Sequence, residues 1–261
     1  MYTLLLILSI LPVIILMIYI YRQDKYQKEP IKSLAKAFIG GILAILVDIV
    51  LVTCINMIYQ SDTVFYSAFL EAGIPEELSK LIIFLIFIWR DKNFDEYMDG
   101  IVYACFIGLG FACIENIMYV FEAAEESVGA GIGTGVVRAL LSVPGHFLFG
   151  VVLGYFLALA KFGKKPIYIL LGLLAAATCH GLFDWLLMAS DAVGEVIGTA
   201  LYIVFLWGDF KLWKLGVKYI RKQQENSRLQ AEIQQDLFSA DDKTTTDYKQ
   251  IDWNAGFRDD Q

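Results

Sequence analysis

Charge is scarce in this chain. Only 19% of its 261 residues are Asp, Glu, Lys or Arg, against about a quarter in an ordinary soluble domain, while 57% are apolar. With a mean hydropathy of +0.58, the apolar excess is more than one compact core can absorb, which leaves almost no room for a soluble enzyme. Period-2 alternation in strand-length pieces is missing, and with it the mark of an outer-membrane barrel. The four cysteines, Cys54, Cys105, Cys113 and Cys179, fall within apolar runs at no metal-ligand spacing. They read as small buried hydrophobes rather than a disulfide framework or a thiolate metal site. No basic stretch precedes the first apolar run and no small-residue cleavage pattern follows it, so that run reads as a retained helix and not a secretory signal.

What is present is a series of apolar blocks at about Tyr2 to Tyr21, Leu34 to Tyr59, Val64 to Trp89, Ile101 to Phe121, Val136 to Ala160, Ile167 to Ala189 and Val193 to Gly216. Each reaches the roughly 20 residues that a transmembrane helix needs. The expected fold is therefore all-α, a polytopic transmembrane bundle of about seven helices, with a broken or re-entrant segment foreseen around Gly73 to Pro75. The basic residues alternate between loops. Arg22, Lys25, Lys28 and Lys32 follow the first block, Arg90 and Lys92 the third, Lys161, Lys164 and Lys165 the fifth, and Lys211 through Arg228 the last. The turns Gln60 to Thr63, Glu122 to Thr134 and Ser190 to Asp191 carry none. The positive-inside rule then predicts an outside N-terminus and a cytoplasmic C-terminus. Residues 1–222 form the expected membrane domain, and 223–261 a cytoplasmic helical extension with an acidic tail.

Ionisable residues inside spanning helices cost about 2.5 to 3.5 kcal/mol each on insertion scales, so they tend to face a bundle interior and mark function. The third to the sixth blocks each carry such groups. The third reads Gly73-Ile74-Pro75-Glu76-Glu77-Leu78-Ser79-Lys80, the fourth holds Glu115-Asn116, the fifth Arg138 and Pro144-Gly145-His146, and the sixth His180 and Asp184. Both histidines of the chain are in this set, which points to one shared site. Glu76 and Glu77 lie four and three residues before Lys80, so the ammonium can neutralise one carboxylate while the other takes a proton. The bland alternative is a kink in which the two glutamates cap the helix that Pro75 starts. His180 and Asp184, four apart, make a carboxylate-oriented imidazole. Glu115 offers an acid, and Asn116 either an oxyanion donor or packing glue between helices. For His146 a catalytic and a structural role both stand. Arg138, near the outer end of its block, reads as snorkelling to the interface. At about 1.5 Å per residue, Glu77 lies roughly 20 Å from Arg90, Glu115 roughly 9 Å from Phe121 and His180 roughly 14 Å from Ala189. With the orientation above, these groups meet in the outer half of the membrane.

Glu76-Glu77-x-x-Lys80, Phe111-x-x-x-Glu115-Asn116 and His180-x-x-x-Asp184, in that order on successive apolar segments, resemble the PrsW family of bacterial intramembrane proteases. That family looks related to the CAAX-processing and bacteriocin-processing proteases. The resemblance covers a protease-like core of about residues 63–190. It implies cleavage of a single-span, membrane-anchored substrate of the anti-sigma factor type on the extracytoplasmic side, in the cytoplasmic membrane of a bacterium. By the same resemblance Glu76, Glu77, Glu115 and His180 are catalytic, and Lys80, Asn116 and Asp184 support them; His146 joins the supporting set from its place in the fifth block, outside the motifs. Glu115 stands where the wider group has histidine and Asp184 where it has asparagine, so the wider group's scheme of water activation does not transfer directly. The expected chemistry is attack of an activated water, since no Ser or Cys is placed beside a base as a nucleophile. No cofactor is predicted. Zinc, if bound, would be held by Glu115, His146 and His180, although no His-Glu-x-x-His pair is present. The lipid bilayer is the expected surrounding and nucleic acid is not an expected partner. The rival readings are a proton- or ion-coupled transporter, against which stands the lack of an inverted repeat, and a non-catalytic protein that binds membrane partners.

Overall fold

The computed structural model describes residues 2–241, with side chains to residue 237. Helix accounts for nearly all of it, and no strand occurs among the described residues. The helices are α1 (Tyr2–Gln23), α2 (Ile31–Ile58), α3 (Val64–Tyr66), α4 (Ile74–Phe87), α5 (Tyr97–Glu126), α6 (Val128–Leu140), α7 (Ser142–Phe162), α8 (Ile167–Ala192) and α9 (Glu195–Asp241). Six runs are long and apolar enough to cross a membrane: α1, α2, α5, Val128–Phe162, α8 and Glu195–Leu237.

The third block, Val64 to Trp89, is helical as far as Phe87 but not uniform. Between α3 and α4 a π turn occupies Ser67–Gly73, and the Ile74 N–H bonds back to the Phe69 carbonyl. Pro75 has no N–H to give, and its ring would strike the carbonyl of residue 71 in a regular helix. The wider π spacing relieves that clash, and π turns of this kind commonly fall at functional positions. The chain thus continues through the expected break instead of turning back.

The outer turn expected over Glu122 to Thr134 is corrected. Helix continues to Glu126, is interrupted at Ser127, and resumes at Val128. Ser127 adopts extended backbone and its side chain accepts from the Ala130 N–H, an N-cap that starts α6 at once. Leu141, at φ −120°, then separates α6 from α7, and Pro144 falls in the first turn of α7 where its missing donor costs nothing.

The centre of the bundle is α5, buried along most of its length and packed on α7, α2, α6 and α1. Small residues set these approaches, as expected where lipid supplies no hydrophobic drive between helices. A Cβ on Gly41 would lie 2.0 Å from the Ile107 carbonyl oxygen, and one on Gly110 2.1 Å from that of Phe38, so α2 and α5 meet backbone to backbone. Gly73 and Gly181 do the same for the α4 entrance and α8, where a Cβ on Gly73 would lie 2.7 Å from the Gly181 nitrogen. That second contact brings His180 against the glutamate pair. The outer faces of α1, α2 and α9 keep large apolar side chains exposed, among them Ile15, Leu46 and Ile203. Beyond Arg221, α9 continues as a helix to Asp241, and the acidic tail expected after it lies outside the described residues.

Candidate active site

The first turn of α4 carries Glu76 and Glu77, but neither carboxylate caps the helix. Both turn to Lys80, whose Nζ lies 2.7 Å from Glu77 Oε1 and 3.2 Å from Glu76 Oε2. The ammonium also donates to Nδ1 of His146 at 3.1 Å and sits 4.3 Å from the centre of the Phe111 ring. Because Lys80 donates to Nδ1, the His146 hydrogen belongs on Nε2, from which it is given to Glu115 Oε2 at 2.7 Å.

His180 on α8 faces carboxylates through both ring nitrogens. Its Nδ1 lies 3.0 Å from Glu77 Oε1 and its Nε2 3.2 Å from Asp184 Oδ2, the i,i+4 pairing that the spacing predicts. The ring stacks on Phe149 with centroids 4.5 Å apart. Glu76 Oε2 is 3.9 Å from His146 Nδ1 and equally far from His180 Nε2, which places it between the two imidazoles.

A cavity of about 610 Å³ opens on this cluster, with Asp48, Glu71, Glu76, Glu115, Arg138, His146, His180 and Asp184 in its lining. The glutamate pair divides there. Glu76 lines the cavity, whereas Glu77 is 0% exposed and does not reach it. Asn116 is also fully buried and away from the cavity; its amide nitrogen donates to the Ser9 carbonyl at 2.8 Å and its oxygen accepts from Arg138 Nε at 2.9 Å.

Arg138 corrects the sequence reading. It does not snorkel outward: its Nη2 pairs with Glu115 Oε2 at 3.1 Å, and the guanidinium covers the Tyr119 ring at 4.2 Å. The reason is the early start of α6 and its break at Leu141, which fold this segment back along α5 and carry the arginine inward. Asp48 is another group that the motifs missed, as is Glu71. Asp48 lies in the apolar run of α2 and lines the cavity, with Oδ1 buried and unpartnered. The rule that selects Glu76, an ionisable residue inside an apolar block, selects Asp48 as well.

Glu76, Glu77, His146 and His180 offer ligand atoms that all lie within 4.8 Å of one another. Two imidazoles and two carboxylates suit zinc. Glu77 Oε2 is a buried acceptor with no hydrogen-bond partner, and Glu115 and Asp184 each hold an imidazole nitrogen, as outer carboxylates do around metal-binding histidines. The donor set therefore fits such an ion. Glu115 belongs to that outer layer, bonded to His146 and Arg138, and is not one of the four clustered donors.

A multi-pass helical bundle with carboxylates and imidazoles gathered around a cavity is the architecture of an intramembrane enzyme. The chain belongs to the PrsW family: residues 29–208 match the family model for PrsW family intramembrane metalloprotease. It is 32% identical over 229 residues to Protease PrsW of Clostridioides difficile (strain 630), covering 85% of this chain and 92% of that one. Protease PrsW of Geobacillus kaustophilus (strain HTA426) is 34% identical over 203 residues, covering 76% and 85%. That of Bacillus subtilis (strain 168) is 32% identical over 206 residues, covering 76% and 88%. No solved structure matches the chain. The protein is thus a peptidase and a multi-pass membrane protein, and the carrier and non-catalytic readings give way to it.

Proposed function

We propose that the cavity hydrolyses a peptide bond of a single-span membrane protein, of the anti-sigma factor type, on the extracytoplasmic side, with Glu76 as the general base. The observation that carries this reading is the division of the acidic pair: Glu76 faces the cavity between both imidazoles, while Glu77 is enclosed by Lys80 and His180. Glu76 takes the proton of a water as it attacks the carbonyl carbon, and later returns a proton to the leaving amine. Lys80 holds the pair in place and offsets its charge. His180, oriented by Asp184 and Glu77, faces the carbonyl oxygen where negative charge develops. Glu115, anchored by Arg138, fixes His146.

Catalytic zinc sites keep three protein ligands and one open position. Glu77, His146 and His180 would serve as those three here and leave Glu76 free as base. When bound, the ion would polarise the carbonyl and acidify its water.

The test is co-expression with a tagged single-span substrate. Glu76→Gln should lower cleavage by at least ~100-fold, the usual scale for a lost general base, with the protein still folded in the membrane. A Glu76→Gln enzyme that cleaves at the wild-type rate would refute the assignment. Metal analysis of detergent-purified protein checks the zinc reading, for which about one equivalent is expected, with cleavage lost to a chelator and restored by zinc.

A further inference from the structure

A second group of buried acids lies at the other end of α5, sixteen residues before Glu115 and therefore roughly 24 Å along the helix. The α1–α2 loop supplies Asp24 and Glu29, and the start of α5 supplies Glu96 and Asp99. Their exposures are 0%, 3%, 5% and 0%. None of them enters the proteolytic site.

Part of this group serves the backbone. Asp99 Oδ2 accepts from the N–H groups of Glu96 and Asp95, the Glu96 side chain completes that capping box, and Asp24 Oδ2 accepts from the Glu29 N–H. The Tyr103 hydroxyl donates to Glu29. After these bonds, three oxygens remain buried with no partner: Asp24 Oδ1, Glu96 Oε1 and Asp99 Oδ1. The three residues also offer ligand atoms within 4.8 Å of one another.

Positive charge stands nearby and is used elsewhere. The Lys28 ammonium donates to the carbonyls of Tyr21 and Asp24, and that of Lys161 to the carbonyls of Trp89 and Phe94. Among the described residues no lysine or arginine forms an ion pair with any of the four acids. Negative charge without a counter-charge is costly in such a place.

We propose that Asp24, Glu96 and Asp99, backed by Glu29, form a binding site for a hard divalent cation that ties the α1–α2 loop to the start of α5. A donor set made only of carboxylate oxygens suits Mg²⁺, Mn²⁺ or Ca²⁺ and not a softer ion. A cavity of about 110 Å³, lined by Tyr26, Ser227 and Gln230 among others, touches the cluster at Glu96. The long α9 docks at the same place, where Ser227 accepts from the Met98 N–H at 2.9 Å and Gln230 donates to the Asp95 carbonyl at 2.7 Å. The ion therefore fastens the first loop to the central helix at the point where the C-terminal extension docks.

The experiment uses the full chain, purified in detergent, stripped with a chelator and returned to chelator-free buffer. Mn²⁺ binding is followed by electron paramagnetic resonance, and thermal unfolding is followed while Mg²⁺, Mn²⁺ and Ca²⁺ are titrated separately. One saturable equivalent is expected that persists in a His146→Ala/His180→Ala background, together with a saturable rise in Tm. The ion with the lowest midpoint is the one the site prefers. Asp24→Asn and Glu96→Gln, which keep an acceptor for the existing bonds, should each weaken binding at least tenfold. Unchanged affinity in both variants overturns the site, as does loss of all binding in the double histidine background. Should neither variant fold, absence of saturable binding of all three ions to the unaltered chain overturns it on its own.

Discussion

Two neighbouring glutamates of the same type end in different roles because the helix turns about 100° between them. Glu77 meets Lys80 and His180, and Glu76 meets the cavity and both imidazoles. The motif named both residues and could not divide them, since its spacing places each within reach of Lys80. Arg138 shows the opposite case. Its place near the outer end of its block reads as snorkelling to the interface, yet its guanidinium joins Glu115 to Asn116. Removing it leaves Glu115 free to rotate away from His146, so Arg138→Met should lower kcat by about 10- to 100-fold, the scale of lost outer support at such sites, with KM little changed. Arg138→Lys, which restores the charge but not the planar fork, should recover part of the loss. Equal kcat in all three proteins, measured on a co-reconstituted substrate, would remove Arg138 from the machinery.

Elements follow the sequence where the physics is local and depart from it where packing intervenes. Block length gave the helices, and Pro75 marked the irregular segment, because a missing N–H acts on its own turn. The run Glu122 to Thr134 is helical except at Ser127. It is polar at its start and rich in glycine, features that suit a turn, but Gly131 lies against Val120 and Ala124, a contact with no room for a Cβ, and α6 forms against α5. The α2–α5 contact permits a direct measurement. A methyl at Gly41 meets a backbone carbonyl, which cannot move aside as a side chain can, so Gly41→Ala must push the helices apart. We expect a loss of about 1 to 3 kcal/mol, the usual cost of overpacking, seen as a lower Tm in detergent. Gly208→Ala, where a Cβ meets nothing within 4 Å, is the control and should leave Tm unchanged. A Gly41→Ala protein as stable as wild type would mean that the two helices are not held at this distance.

For the whole molecule, the loop charges predict the direction in the membrane. On a background with its four cysteines replaced, Asp62→Cys and Asp191→Cys should react with an impermeant maleimide on intact cells, and Lys165→Cys only after the membrane is opened. The reverse pattern would put the cavity on the cytoplasmic side and remove the proposed extracytoplasmic cleavage. The sequence by itself determined a multi-pass helical chain, the ordered Glu-Glu-Lys, Glu-Asn and His-Asp groups, and the helix faces they share, because helical periodicity and the cost of buried charge act over a few residues. Only the tertiary structure decided which glutamate faces the cavity, that Arg138 and Asp48 join it, and that Asp24 meets Glu96 and Asp99. Those meetings are between helices, and they depend on how closely glycine lets the backbones approach.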